Sequence, residues 1–174
     1  MSIFRLNHAV LFVADLQRSV EFYRNVLGFD YVEHGDKRPK AAFLRAPRST
    51  NDHDLGLIEV GAGRAAVPGG VGLYHLAWEV DTLTDLAETA RRLSDADSLY
   101  GSSDHGTTKS LYARDPDGLE FEVAWLVPAD LLDDAAFEQR TRRGVPLDLQ
   151  KEKARYGAGT RGGVGVSSPA AALP

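Results

Sequence analysis

The amino-acid sequence predicts an α+β chain built from two βαβββ modules, and three observations predict it. Residues 6–13 and 73–80 are strand-like segments that echo one another, each with a histidine, His8 or His75, at its third position. Each is followed by an Asp (Asp15 or Asp81) suited to cap a helix, and then by apolar residues at helical spacing. Each half then closes with three short runs of strand character.

In the first module the helix covers about 16–27, with Leu16, Val20, Tyr23 and Leu27 on one face and Gly28 as its stop. Strands follow at 29–33, 41–45 and 54–60. A Gly-rich stretch, 61–72, leads to the second module. There the helix covers about 83–93, with Leu83, Leu86, Ala87, Ala90 and Leu93 on one face. Its strands are 98–100, 110–114 and 119–125. Asp115-Pro116-Asp117-Gly118 marks the turn between the last two. After Trp125 the character changes. Residues 128–142 read as a helix, and 157–174 are Gly, Ala and Ser with little to bury. The organisation is thus a main domain, 1–127, with modules at about 4–60 and 71–126. A helical extension, 128–156, and a loose tail, 157–174, follow.

Composition narrows the function. The chain has 174 residues and no cysteine, which excludes disulfide frameworks, thiolate metal sites and cysteine nucleophiles. Any metal must therefore use His and carboxylate ligands. The absence of cysteine is compatible with a reducing cytoplasm, where the protein is expected to work. Net charge is −5, of which the segment from Arg140 onward contributes +5, leaving −10 on the main body. An acidic body argues against nucleic acid as a partner. No apolar run approaches the length of a membrane span.

The chemistry concentrates on alternating strands. In 119–125, Leu119, Phe121, Val123 and Trp125 make an apolar face, and Glu120 and Glu122 point the other way. His8 and His75 stand at matching positions of the repeat. If the halves pack with pseudo-twofold symmetry, these imidazoles and one carboxylate make a two-His, one-carboxylate triad, a ligand set suited to non-haem Fe(II). Alternation alone leaves Glu120 and Glu122 equivalent.

The segments LNHAVLFVADLQRSVEFYRNVLGF, YHLAWEVD and YARDPDGLEFEV resemble the vicinal oxygen chelate superfamily over about residues 4–125. That superfamily includes extradiol dioxygenases, glyoxalases, fosfomycin-resistance proteins and bleomycin-binding proteins. The resemblance implies a cleft formed by the two modules, and metal ligands His8, His75 and Glu122, four residues beyond Gly118. Asp104-His105-Gly106-Thr107-Thr108-Lys109-Ser110-Leu111-Tyr112 is similar to the DHGxSxxxY region of extradiol dioxygenases, and His53-Asp54-Leu55-Gly56-Leu57 to their HDxAL stretch. On that likeness His53 is the acid–base residue, and His105 and Tyr112 lie beside the substrate and oxygen. The implied activity is extradiol cleavage of a small aromatic diol by O2 at one Fe(II), with Mn(II) able to occupy the same ligands. A homodimer is expected, since a small chain gains by covering its sheet edges.

Two other readings belong to the same fold. One is a glyoxalase- or epimerase-like metalloenzyme with a fourth protein ligand, for which Glu59 has the parity to share a side with His53. The other is a non-catalytic, bleomycin-resistance-like drug-binding protein. His34 is the one histidine without a role in any of these.

Overall fold

Alternation and capping produce the two modules in the order the sequence predicts. The structure is a computed structural model that describes residues 3, 5–33, 40–63 and 71–163, so His34 lies outside the described residues. The first module comprises β1 (Ala9–Val13), α1 (Leu16–Asn25), β2 (Asp30–Val32), β3 (Ala41–Arg45) and β4 (Leu55–Glu59). The second comprises β5 (His75–Glu79), α2 (Leu83–Asp95), β6 (Leu99–Asp104), β7 (Thr108–Arg114) and β8 (Glu120–Leu126). The strand orders are β1-β4-β3-β2 and β5-β8-β7-β6. In each sheet the opening strand runs parallel to the closing one. The chain divides into two compact units, Met1–Gly70 with Asp115–Leu119, and Val71–Arg114 with Glu120–Pro174.

In the first unit, Leu11, Val13, Leu44, Leu55 and Leu57 line the buried face of the sheet, and α1 buries Phe22 and Tyr23. Each such side chain contributes about 1.5–3 kcal/mol by leaving water. Asp15 caps α1 by accepting the Arg18 N–H at 2.9 Å. The Asp115–Leu119 turn is tied in by the Tyr23 hydroxyl, which donates to Asp115 Oδ2 at 3.1 Å. Asp115 Oδ1 accepts the N–H groups of Asp117 and Leu119, and Gly118 takes the positive φ (83°) that closes the turn. On the other face of the same sheet, Val10 and Phe12 are left exposed.

In the second unit, Leu111, Ala113, Phe121, Val123 and Trp125 are buried on one sheet face, and α2 buries Leu83, Leu86 and Leu93. The cap of α2 differs from expectation. Thr82, not Asp81, accepts the Asp85 N–H, and Asp85 reaches back to the Thr82 N–H in a reciprocal capping box.

The extension also departs from the sequence reading. In place of one helix over 128–142 there is a 3-10 turn (Ala129–Leu131), then α3 (Asp134–Gln139), and after a loop α4 (Leu149–Tyr156). Asp133 explains the break, because its side chain accepts the Ala136 N–H at 2.8 Å and so restarts the helix. The first residues of the stretch assigned to a loose tail are hydrogen-bonded to the second unit. Thr84 donates to Ala158 O, Gly162 to Asp81 O and Gly163 to Leu126 O. Residues 164–174 lie outside the described residues. Among the described residues no helix is long and apolar enough to cross a membrane.

Candidate active site

The polar face of the second unit's sheet gathers most of the residues singled out. Strand pairing sets His75 beside Glu120 and Arg114 in one row, and Ala77, Glu122 and Tyr112 in the next. All therefore share the face opposite Phe121, Val123 and Trp125. His75 Nε2 lies 3.2 Å from Glu122 Oε2. Glu120 is engaged elsewhere: it accepts from Arg114 Nη2 and from the Tyr100 hydroxyl, both at 2.9 Å. The Arg114 and then the Tyr100 hydrogen bonds hold its carboxyl below the usual range. The structure thus separates two carboxylates that alternation could not.

Tyr112 stands between Glu122 and the hairpin that carries His105. Its hydroxyl is 2.7 Å from His105 Nε2. Burial first, and then the charge of Glu122, push the Tyr112 hydroxyl above its ordinary range. Tyr112 therefore keeps its proton at neutral pH and remains a hydrogen-bond donor.

In the first unit His8 and His53 meet, with ring centroids 4.5 Å apart, and the edge of Phe43 packs on His53 at 4.9 Å. His8 immediately precedes β1, and its contact with His53, which packs on Phe43, sets it on the open face with Val10 and Phe12. A tied loop brings His53 there. Buried Asp54 accepts the Ala46 N–H, the Ser49 hydroxyl and the Asn51 amide, and Asn51 also donates to Asn7 O at 2.8 Å. The sequence assigns no role to Asn51 or to Asp54, because polar residues next to a loop carry no sign of burial. His8 Nδ1 lies 2.8 Å from Asn7 Oδ1, and His53 Nδ1 lies 3.0 Å from Asp52 Oδ2. In the tautomer that carries its proton on Nδ1, each of these contacts is a hydrogen bond and Nε2 is the accepting nitrogen.

Glu59 does not share the side of His53. It pairs with Val13 on the buried-face register, accepts the Leu16 N–H at 3.2 Å and meets Lys40 Nζ at 3.1 Å. β4 begins at Leu55, so its alternation does not extend to His53, and the expected shared side is not found. A surface hollow lined by Leu16, Val20, Tyr31, Lys40 and Glu59 is likewise on the α1 side, away from His8 and His53.

Two donors bound at right angles, each about 2.1 Å from an octahedral ion, lie about 3.0 Å apart. The His75–Glu122 spacing of 3.2 Å fits such a pair. His8 belongs to the other unit, and among the described residues no three His, Asp or Glu side chains are grouped around one point.

A family model, the Glyoxalase/Bleomycin resistance protein/Dioxygenase superfamily, matches residues 5–123, and the chain belongs to that superfamily. Metapyrocatechase 2 of Cupriavidus necator is 30% identical over 118 residues, which are 66% of this chain and 34% of that protein. Catechol-2,3-dioxygenase of Bacillus subtilis is 28% identical, over 68% of this chain and 40% of that protein. The chain thus spans less than half the length of either. Lactoylglutathione lyase of Neisseria meningitidis is 32% identical, over 68% of this chain and 88% of that protein. A glyoxalase/dioxygenase structure from Nostoc punctiforme superposes with a TM-score of 0.58 at 23% identity, covering 69% of this chain and 89% of that one, a likeness of fold.

Proposed function

We propose that this chain is an extradiol ring-cleavage dioxygenase that opens a small catechol-type ring with O2 at one Fe(II), held by His8, His75 and Glu122. The observation that carries the reading is one polar sheet face on which the His75–Glu122 pair adjoins Tyr112, itself hydrogen-bonded to His105. Similarity to a metapyrocatechase and a catechol-2,3-dioxygenase supports it. When bound, the ion supplies positive charge and open positions for two adjacent hydroxyls and for O2; Mn(II) suits the same donors.

The side chains have distinct tasks. His53, with Nδ1 turned to Asp52, presents Nε2 to take a phenolic proton and later return it. Tyr112 donates a hydrogen bond to oxygen as it gains charge, and His105 fixes the direction of that hydroxyl. The further partner is a second copy of this chain, and the working compartment is the cytoplasm.

Oxygen uptake by the Fe(II)-loaded chain across a panel of single-ring catechols, with appearance of a yellow ring-opened product, tests the assignment. No uptake with any catechol sinks it. His53→Phe retaining full turnover removes His53 from proton transfer.

The lyase reading draws on the Neisseria relative, most of whose length is matched. That reading needs a fourth ligand in Glu59, which is occupied at the start of α1. Turnover of lactoylglutathione without oxygen consumption would move the assignment there.

A further inference from the structure

The roles above leave a buried cation unused. Lys109 is fully buried on the apolar face of the second unit's sheet. Its Nζ donates to Asp104 Oδ1 at 2.5 Å and to Gly106 O at 3.2 Å, and lies 3.1 Å from Glu152 Oε2. A buried ammonium is costly unless its partners are fixed. Two of those partners flank His105, so Lys109 clasps both sides of the hairpin turn that carries this imidazole. The third, Glu152, is buried on α4 and ties that helix to the same turn.

A second tie is independent of the first. Val145 pairs with Asp104, with N–H···O distances of 2.8 and 3.0 Å in the two directions. This bridge runs Gly144 past the His105 ring. A Cβ at position 144 would stand 2.7 Å from His105 Cε1 and 2.8 Å from Nδ1, and would overlap Ser103 Oγ. Only glycine lets the extension pass so close. Gly106, the next residue after His105, is equally confined, by its positive φ and by the Gln139 side chain of α3.

We propose that residues 129–163 form a strap that positions His105, with Lys109 and Glu152 as its positioning residues and Gly144 as its point of contact. The proposal rests on the reading that His105 serves the site through Tyr112. The strap holds the imidazole from behind while Nε2 meets the Tyr112 hydroxyl in front.

Gly144→Ala and Glu152→Gln in the full chain test this. The first readout is the Cε1–H resonance of His105 in metal-free protein, assigned by its loss in His105→Ala. Both variants are expected to shift that resonance and leave those of His53 and His75 unmoved. On a catechol substrate, kcat should fall by about tenfold to 100-fold with little change in KM, as a misplaced group demands. In a His105→Ala background, Gly144→Ala should add less than about twofold, because coupled residues are not additive. An unmoved resonance in the variants that fold, or a Gly144→Ala loss undiminished without His105, overturns the strap. Should Gly144→Ala fail to fold, the shape-preserving Glu152→Gln carries the same readouts. Wild-type protein that opens no ring would remove the proposed function, while the resonance would still decide the strap.

Discussion

Two glutamates on the same face of β8 differ in what surrounds them, and that difference is testable. Glu122 faces His75, whereas Glu120 is neutralised by Arg114 and bonded by Tyr100. Loss of a residue that merely supports a ligand costs roughly 10–100-fold in metal affinity. Glu122→Gln or His75→Ala should therefore weaken Mn(II) or Fe(II) binding by more than about 100-fold, measured anaerobically by calorimetry. Glu120→Gln should stay within about threefold of wild type on the same scale. Equal losses at 120 and 122 would remove the distinction. Alternation places both carboxylates on the polar face and only the family resemblance singles out Glu122; the physical reason that Glu120 is set apart, its bonds to Tyr100 and Arg114 on other strands, lies in the tertiary structure. Tyr23 makes a second prediction. Burial, then the charge of Asp115 and its hydrogen bond, place its hydroxyl well above the ordinary range. Its folded value exceeds the unfolded value of about 10, so its contribution is intact below pH 10 and fades as pH rises from there towards the folded value. Tyr23→Phe should be about 1 kcal/mol less stable than wild type at pH 8 by urea unfolding. That gap should narrow above pH 10. A gap constant through the alkaline range would show that the proton on Tyr23 is not held by the fold.

At the scale of elements, helices and strands were legible wherever periodicity and caps agreed. The α1 start at Leu16, the α2 start at Leu83 and the bounds of β3 follow the sequence reading. β6 was read too short, because Gly101, Ser102 and Ser103 lack strand character and the pairing with β7 supplies what propensity does not. The break in the extension is not legible in the sequence, because the helix is cut at Asp133, a residue that sequence alone allows on a helix surface as readily as at a cap. Lys109 shows the limit most clearly. It shares the inward parity of Leu111 and Ala113 only because β7 starts at Thr108 and not at the expected 110, a lysine is ordinarily assigned to water, and its partner Glu152 lies on a distant helix. Two element-scale outcomes follow. Thr82→Ala removes one side of the α2 capping box and should cost about 1 kcal/mol in chemical denaturation. Lys109→Ala leaves Asp104 and Glu152 without their cation and should cost about 3–5 kcal/mol. A Lys109→Ala protein as stable as wild type would mean that the triad is held by something other than its charge.

For the whole molecule, the decisive question is whether residues beyond β8 are an appendage or part of the second unit. Trp125 is fully buried, and its indole N–H donates to Thr160 O at 3.2 Å while its ring lies 5.5 Å from Tyr156. The same segment supplies Glu152 to Lys109 and Gly163 to the end of β8. A chain ending at Pro128 would therefore expose an indole and strand a buried ammonium with one carboxylate fewer. Breaking such a pair costs about 3–5 kcal/mol, a large share of the 5–15 kcal/mol that holds a typical domain folded. The truncated chain should melt about 10 °C or more below the full chain. Tryptophan emission separates the causes, since only Trp78 and Trp125 contribute. Because Trp125 loses its cover directly, emission should shift to the red below the melting transition, and not only through it. A truncated chain with unshifted emission and a melting point within about 2 °C of the full chain would make the extension dispensable to the unit, on the stability scale that such a shift implies. The opposite result would show the sheet, α2 and the extension folding as one cooperative body, with the hairpin of His105 at its edge.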